Sequence, residues 1–149
     1  MVTTTYLDAS AIVKILLREA EAETARWLWH SADRRTTSVV AYIEARAAIA
    51  AAVRVRRLRI DPAAGRLAEF DWRWGELEPV GLDDEILGIA GSLADDEGLR
   101  ALDAIHLATA LFVADARTLF VTWDRRLADA ASRLGLAVAP ASLLGADRP

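Results

Sequence analysis

The chain has 149 residues, 54% of them hydrophobic and 27% charged, enough for one compact core and too short for two ordinary domains. A formal net charge of −4 argues against nucleic-acid binding through bulk positive charge. Cysteine is absent, which excludes disulfides, thiolate zinc sites, iron–sulfur clusters and cysteine nucleophiles; a metal would be held by oxygen or by the two histidines, so hard cations are the default.

No apolar run approaches the roughly 18 residues of a membrane span; Ala47 to Val53, for example, is cut by Arg54. The opening Met1-Val2-Thr3-Thr4-Thr5 lacks the basic start and long apolar stretch of a secretory signal. The expectation is a cytoplasmic protein with no membrane partner. The bases are almost all arginine, a group suited to bidentate contacts with phosphate or carboxylate.

In chain order, Val2 to Leu7 reads as a strand, and Asp8-Ala9-Ser10 leads into a helix through Leu17. Glu19 to Trp29 suits an amphipathic helix, Ser31-Ala32-Asp33 a loop, and Arg35-Thr36-Thr37 a short strand. Ser38 is placed to cap an alanine-rich helix from Ala41 through Val53, which ends in the basic run Arg54 to Arg59. Asp61-Pro62 marks a further helix start, cap then proline, with Leu67, Phe70 and Trp74 as its apolar stripe up to Gly75.

Leu77 to Val80 reads as an edge strand, where Pro79 is tolerated, and Asp83 caps a helix carrying Ile86, Leu87, Ile89, Ala90 and Leu93 and ending at Asp95 to Gly98. Leu102 to Leu111 is a mostly buried helix, Leu119 to Thr122 a short buried strand, and Arg125 to Leu134 a helix. A turn at Gly135, a last strand Leu136 to Ala139 and a surface tail complete the chain.

Apolar strands alternating with helices imply an α/β fold with a parallel sheet covered on both faces. Ligands of such sheets bind beyond the carboxyl ends of the strands, and Asp8 and Asp124 each directly follow a strand. Glu44, about two turns into its helix, and Asp103, early in another, can project toward the same rim. Clustered carboxylates repel one another unless a cation compensates, and an oxygen-rich, thiol-free cluster suits Mg²⁺ or Mn²⁺. A cation of that kind serves phosphodiester hydrolysis.

Singly, each acid has a plainer explanation: Asp8 and Asp124 as caps, Asp103 as a first-turn residue favoured by the helix dipole, Glu44 on a solvated face. Ser10 and Thr122 are equally explained as capping groups or as partners of an acid or phosphate. His106, flanked by Ile105 and Leu107, reads as a packed histidine, and His30 as a surface residue at a helix end. Trp72 and Trp74 can stack bases, but packing is the commoner use. The run Arg54 to Arg59, spread over several faces of one helix, reads as a solvated helix end; Arg125 and Arg126, beside Asp124, are the better substrate-contact candidates. Asp83-Asp84-Glu85 and Asp95-Asp96-Glu97 are helix-end surface acids.

Taken together, Tyr6-Leu7-Asp8-Ala9-Ser10-Ala11-Ile12-Val13-Lys14, Thr37-Ser38 followed by Glu44, Leu102-Asp103-Ala104-Ile105-His106-Leu107-Ala108-Thr109-Ala110 and Val121-Thr122-Trp123-Asp124-Arg125-Arg126-Leu127 resemble the PIN-domain family. The resemblance is to its VapC-like toxin ribonucleases in particular. It spans nearly the whole chain in register and implies one PIN-like domain over residues 1–149, a three-layer α/β/α sandwich around a five-stranded parallel sheet. It also places Asp8, Glu44, Asp103 and Asp124 at the family's acidic metal positions, with Ser10 and Thr122 as polar supports. Asp8 and Asp103 would be the principal ligands, Glu44 a ligand or the group orienting the attacking water, and Asp124 a peripheral ligand acting through water.

The function implied is a Mg²⁺- or Mn²⁺-dependent endoribonuclease, homodimeric and held inactive by a small cognate antitoxin. Two other readings stand beside it. An aspartate-nucleophile phosphohydrolase would use Asp8 covalently, but wants a second acid at position 10, where this chain has Ser10, and a downstream lysine, whereas Lys14 stands alone. A noncatalytic RNA- or protein-binding module would leave four clustered charges uncompensated. A P-loop and a dinucleotide-binding glycine fingerprint are both missing.

Overall fold

In the computed structural model, which describes residues 1–143, five parallel strands form one sheet. They are β1 (Thr4–Leu7), β2 (Arg34–Ser38), β3 (Glu78–Val80), β4 (Thr118–Val121) and β5 (Ala137–Ala139), in the order β3-β2-β1-β4-β5. The helices are α1 (Ala9–Leu16), α2 (Ala22–His30), α3 (Val40–Arg54), α4 (Ile60–Trp74), α5 (Asp84–Glu97), α6 (Ala101–Val113) and α7 (Arg125–Arg133). The expected surface tail falls on residues 144–149, outside the described residues.

The register pairs Tyr6 with Thr36 on one side and Phe120 on the other, and Leu7 with Val121. Every strand therefore runs the same way, and all carboxyl ends share one rim. The chain first builds outward from β1 through β2 to β3, then returns to the other side of β1 for β4 and β5. The reversal puts the topological switch point between the ends of β1 and β4, the position at which open parallel sheets bind ligands.

Alternation along the strands divides the core between the two faces. Tyr6, Phe120 and Val138 pack with α5, α6 and α7, while Leu7 and Val121 pack with α1, α2, α3 and α4. Both layers are fully closed at their centres, where Tyr6, Leu7, Phe120, Ile12, Trp29 and Phe70 are inaccessible to solvent. Each such side chain contributes about 1.5–3 kcal/mol by leaving water.

Several local expectations shift. The β2 strand is polar rather than apolar, and it tolerates burial because its hydroxyls find carbonyls: Thr36 Oγ1 donates to Glu78 O at 2.8 Å and Thr37 Oγ1 to Leu7 O at 2.7 Å. The second helix begins at Ala22 rather than Glu19, since Arg18 and Glu21 take left-handed φ values of 51° and 66°. Ser38 closes β2 and its Oγ accepts from Val40 N at 3.4 Å, while Val39 stands at the helix boundary.

The α4 helix starts at Ile60, ahead of the expected Asp61 cap; Pro62 is accommodated because first-turn N–H groups have no partner within the helix, and Asp61 lies on the favourable end of the dipole. The α3 helix stops at Arg54, and Arg56 turns left-handed at φ 59°, so the basic run lies mostly in a turn and not on one helix. Trp74 packs against Tyr42 and Phe70 as expected, whereas Trp72, one turn-face away, is 62% exposed.

Candidate functional site

Asp8 follows β1 directly, at the β1–β4 switch point, with 3% of its surface exposed. Its Oδ1 accepts from Ala11 N at 3.0 Å, capping α1, and from Ser10 Oγ at 2.6 Å. Its Oδ2 accepts from Thr122 Oγ1 at 2.6 Å. A carboxylate has roughly four lone-pair positions, so these three bonds orient the group and leave acceptor capacity on Oδ2. Burial pushes the Asp8 carboxyl above the usual carboxylate range, against the opposing pull of His106 and the three hydrogen bonds.

Thr122 joins this acid to the next. Its Oγ1 donates to Asp8 and accepts from Asp124 N at 3.0 Å, while Ser10 Oγ accepts from Trp123 N at 2.9 Å. The Asp124 Oδ1 caps α7 through Leu127 N at 2.9 Å, and its Oδ2 lies 3.6 Å from Arg100 Nη2. In both Asp8 and Asp124 one oxygen caps a helix and the other is turned to a neighbour.

Asp103, third residue of α6, receives a hydrogen bond from Arg100 Nε at 3.2 Å. Arg100 therefore bridges Asp103 and Asp124 with one guanidinium. Glu44 is the fifth residue of α3, just over one turn in, and lines a cleft of about 350 Å³ with Arg100, Ala101, Leu102 and Asp103. Its Oε1 lies 2.6 Å from Nε2 of His106, whose Nδ1 is 2.9 Å from the Tyr6 hydroxyl. Burial, and then the charge of Asp8, raise the Tyr6 hydroxyl well above its ordinary value, so it stays a proton donor.

The structure thus links Asp8 to Asp124 through Thr122, Asp124 to Asp103 through Arg100, and Asp103 to Glu44 across one cleft. It does not close them into a cage: among the described residues, no three acid or histidine side chains stand as a ready-made coordination sphere. A small hard cation does not need one, because Mg²⁺ is held by one or two carboxylates and keeps several waters. The oxygen-only donor set and the acceptor capacity left on Asp8 fit such an ion.

Arg125 and Arg126 are both exposed at the start of α7. Arg126 Nη2 donates to Gly98 O at 2.6 Å, at the end of α5. Larger clefts of about 720 and 610 Å³ run along α3 and α4 and contain none of the four acids.

Sequence reasoning gave Arg100 no role and read His106 as packing. His106 is indeed buried, at 1% exposure, yet it holds Glu44. The available signal was spacing: Arg100 and His106 stand three residues before and after Asp103, on adjoining positions of one helix.

A doubly covered parallel sheet with carboxylates along the rim at its switch point defines an acid-lined α/β protein. The sequence pattern of the PIN domain matches residues 5–133. The chain belongs to the PIN-domain family and, within it, to the VapC ribonucleases. It is 44% identical over 140 residues to Ribonuclease VapC45 of Mycobacterium tuberculosis (strain CDC 1551 / Oshkosh), covering 93% of this chain and 96% of that one.

Among solved structures, PAE2754 from Pyrobaculum aerophilum superposes with a TM-score of 0.66 at 23% identity, over 97% of this chain and 95% of the other. A chain of a toxin–antitoxin complex from Klebsiella pneumoniae gives 0.58 at 17%, over 80% and 86%. At these identities the likeness is one of fold, and it agrees with the five-stranded parallel sandwich described above.

Proposed function

We propose that this protein is a metal-dependent endoribonuclease, the toxin of a toxin–antitoxin pair, hydrolysing RNA phosphodiester bonds at the acid-lined crevice with Mg²⁺ or Mn²⁺. The observation that carries this reading is the chain of contacts placing Asp8, Asp124, Asp103 and Glu44 on one rim of the sheet. Asp8 and Asp103 are the principal ligands, Asp124 a peripheral one acting through water, and Glu44 a ligand or the group that orients the attacking water. When bound, the divalent cation neutralises charge on the phosphodiester and makes water a better nucleophile at neutral pH.

The protein's own contribution is position. Ser10 and Thr122 fix the Asp8 carboxylate. His106 fixes Glu44, and a carboxylate so held accepts a proton from water in a defined direction. Arg125 and Arg126 offer guanidinium groups to the RNA backbone next to Asp124. The aspartate-nucleophile alternative is disfavoured by Ser10, which donates to Asp8 where that chemistry wants an acid.

The partners follow from the same reading: RNA as substrate, a small antitoxin as inhibitor, and a second copy of the chain as a homodimer. Exposed Ile43, Val55 and Ile60 along α3 and α4 supply apolar surface for a protein contact. No helix of the described residues is long and apolar enough to cross a membrane.

The test is incubation of purified, antitoxin-free protein with total RNA, with and without EDTA, beside Asp8→Asn. Cleavage that needs Mg²⁺ or Mn²⁺ and is lost in the variant supports the proposal. Cleavage indifferent to both ends it, and dephosphorylation of small esters without RNA cleavage transfers the assignment to the phosphohydrolase reading.

A further inference from the structure

The Arg100 guanidinium touches two of the four acids: Nε lies 3.2 Å from Asp103 Oδ2 and Nη2 3.6 Å from Asp124 Oδ2. The side chain is 79% exposed, and it lines the cleft that also holds Glu44. It springs from the residue just before α6, so only the side chain, and not a helix, needs to move for it to change partner. No side-chain cap or backbone carbonyl bond anchors it among the described contacts.

We propose that Arg100 has two successive partners: in the metal-free protein it balances Asp103 and Asp124, and once a divalent cation takes that role it binds a phosphate of the RNA. The inference rests on the metal-dependent nuclease reading above. Its physical basis is competition. A guanidinium and a divalent cation seek the same carboxylate oxygens, and an exposed ion pair is weak enough to be exchanged. A guanidinium deprived of carboxylate partners beside a cation site faces the phosphate that the cation attracts, and its planar fork matches two phosphate oxygens as it matched two acids.

A residue that merely scaffolds the acids would, on removal, weaken metal and RNA binding alike. An exchanging residue has effects of opposite sign. Arg100→Ala is expected to tighten Mn²⁺ binding about two- to fivefold, the range an exposed ion pair supplies, and to weaken RNA binding in the presence of cation by a similar factor. In EDTA, where Arg100 is engaged with its acids, the variant and the natural protein bind RNA alike once the loss of one charge is allowed for. Arg34→Ala supplies that allowance: Arg34 pairs with Glu78 and opens β2, at the end of the sheet opposite the acid rim. Arg100→Lys keeps the charge and loses the fork, so it retains metal competition and recovers only part of the RNA affinity.

The experiment is calorimetric titration of the full chain with Mn²⁺, and fluorescence anisotropy of a short labelled single-stranded RNA of mixed sequence in EDTA and in Ca²⁺, with circular dichroism confirming that each variant folds. Tighter Mn²⁺ and weaker cation-dependent RNA binding in Arg100→Ala support the exchange. Weaker Mn²⁺ binding, or RNA binding equal to that of Arg34→Ala under both conditions, overturns it while the nuclease reading stands. Failure of the natural protein to bind Mn²⁺ overturns both.

Discussion

His106 Nε2 stands 2.6 Å from Glu44 Oε1 and ties α6, in the layer over one face of the sheet, to α3 in the layer over the other. Where Nε2 donates to Glu44, a singly protonated ring leaves Nδ1 to accept from the Tyr6 hydroxyl at 2.9 Å. The order Tyr6 to His106 to Glu44 is therefore fixed from the buried end outward. A core tyrosine sets the tautomer of a histidine, and the histidine sets the direction of a site carboxylate.

Removing the middle of this chain has two costs. His106→Ala leaves the buried Tyr6 hydroxyl short of a partner and is expected to destabilise the fold by about 1–3 kcal/mol, readable as a lower urea midpoint. It also frees Glu44, so cleavage falls by about tenfold or more in kcat with KM little changed, as for loss of a positioned proton acceptor. His106→Gln, which keeps an amide N–H donor, is expected to recover part of the rate. Equal kcat in both variants at matched folded fraction would remove Glu44 positioning from the account.

Asp8 yields a stability prediction whose sign follows from its raised carboxyl pKa. A group that is harder to ionise in the folded state binds more protons there than in the unfolded chain, over the pH range between its ordinary value of 3.8 and the raised one. Unfolding free energy therefore falls as pH climbs through that window and stays lower above it. In metal-free protein at neutral pH, Asp8→Asn should melt at the same temperature as the natural chain or higher. Added Mg²⁺ or Mn²⁺ should raise the melting temperature of the natural protein and leave the variant unmoved. A variant that melts lower without metal would show that the ionised carboxylate stabilises the fold.

The sequence displayed the fold readily because its signals were local: β-branched and aromatic runs, Asp83 before a helix, Gly98 and Gly135 after helices, Pro79 at an edge. Both glycines do adopt left-handed φ, 60° and 90°. Of the candidate site, the shared rim of Asp8 and Asp124 was legible because each directly follows a strand, and the end of a parallel strand and the rim of the sheet are the same place. What sequence could not display was the wiring. The Tyr6–His106 bond spans 100 residues and the Thr122–Asp8 bond 114, and only the register of β1 beside β4 brings the latter pair together. Helix starts were legible to within three residues, because the unpaired first-turn N–H groups accept several arrangements of cap, acid and proline.

Thr122 offers a cleaner probe than any acid, because its two hydrogen bonds serve Asp8 and Asp124 at once. Thr122→Val preserves shape and removes both bonds, leaving Asp124 N and one face of Asp8 Oδ2 without their protein partner. The expected effect is a loss of about 1–3 kcal/mol in stability and a weaker affinity for Mn²⁺, whereas Thr122→Ser should restore both. Since Ser10 Oγ lies 3.4 Å from Thr122 Oγ1 and holds the other Asp8 oxygen, Ser10→Ala and Thr122→Val share a partner and their effects should not add. Additive losses in calorimetric metal binding would mean that the two hydroxyls act on separate groups.

Gly98, which closes α5, is tied to the start of α7 by Arg126. Its φ of 60° lies in the left-handed region, which an alanine enters at a cost of about 1–2 kcal/mol. Space is not the obstacle, because an added Cβ would meet only Arg126 Nη2, the far end of a flexible side chain, at 3.3 Å. The carbonyl of the same residue accepts from that guanidinium at 2.6 Å. Gly98→Ala therefore strains the turn that leads directly to Arg100 and disturbs the anchor of Arg126 together. On the Arg126→Ala background the contact is already gone, so Gly98→Ala should cost only its backbone strain there, and less than in the natural chain. Denaturant unfolding of the two single variants and the double variant measures that difference, and identical penalties on both backgrounds would show that the Arg126 contact stabilises nothing.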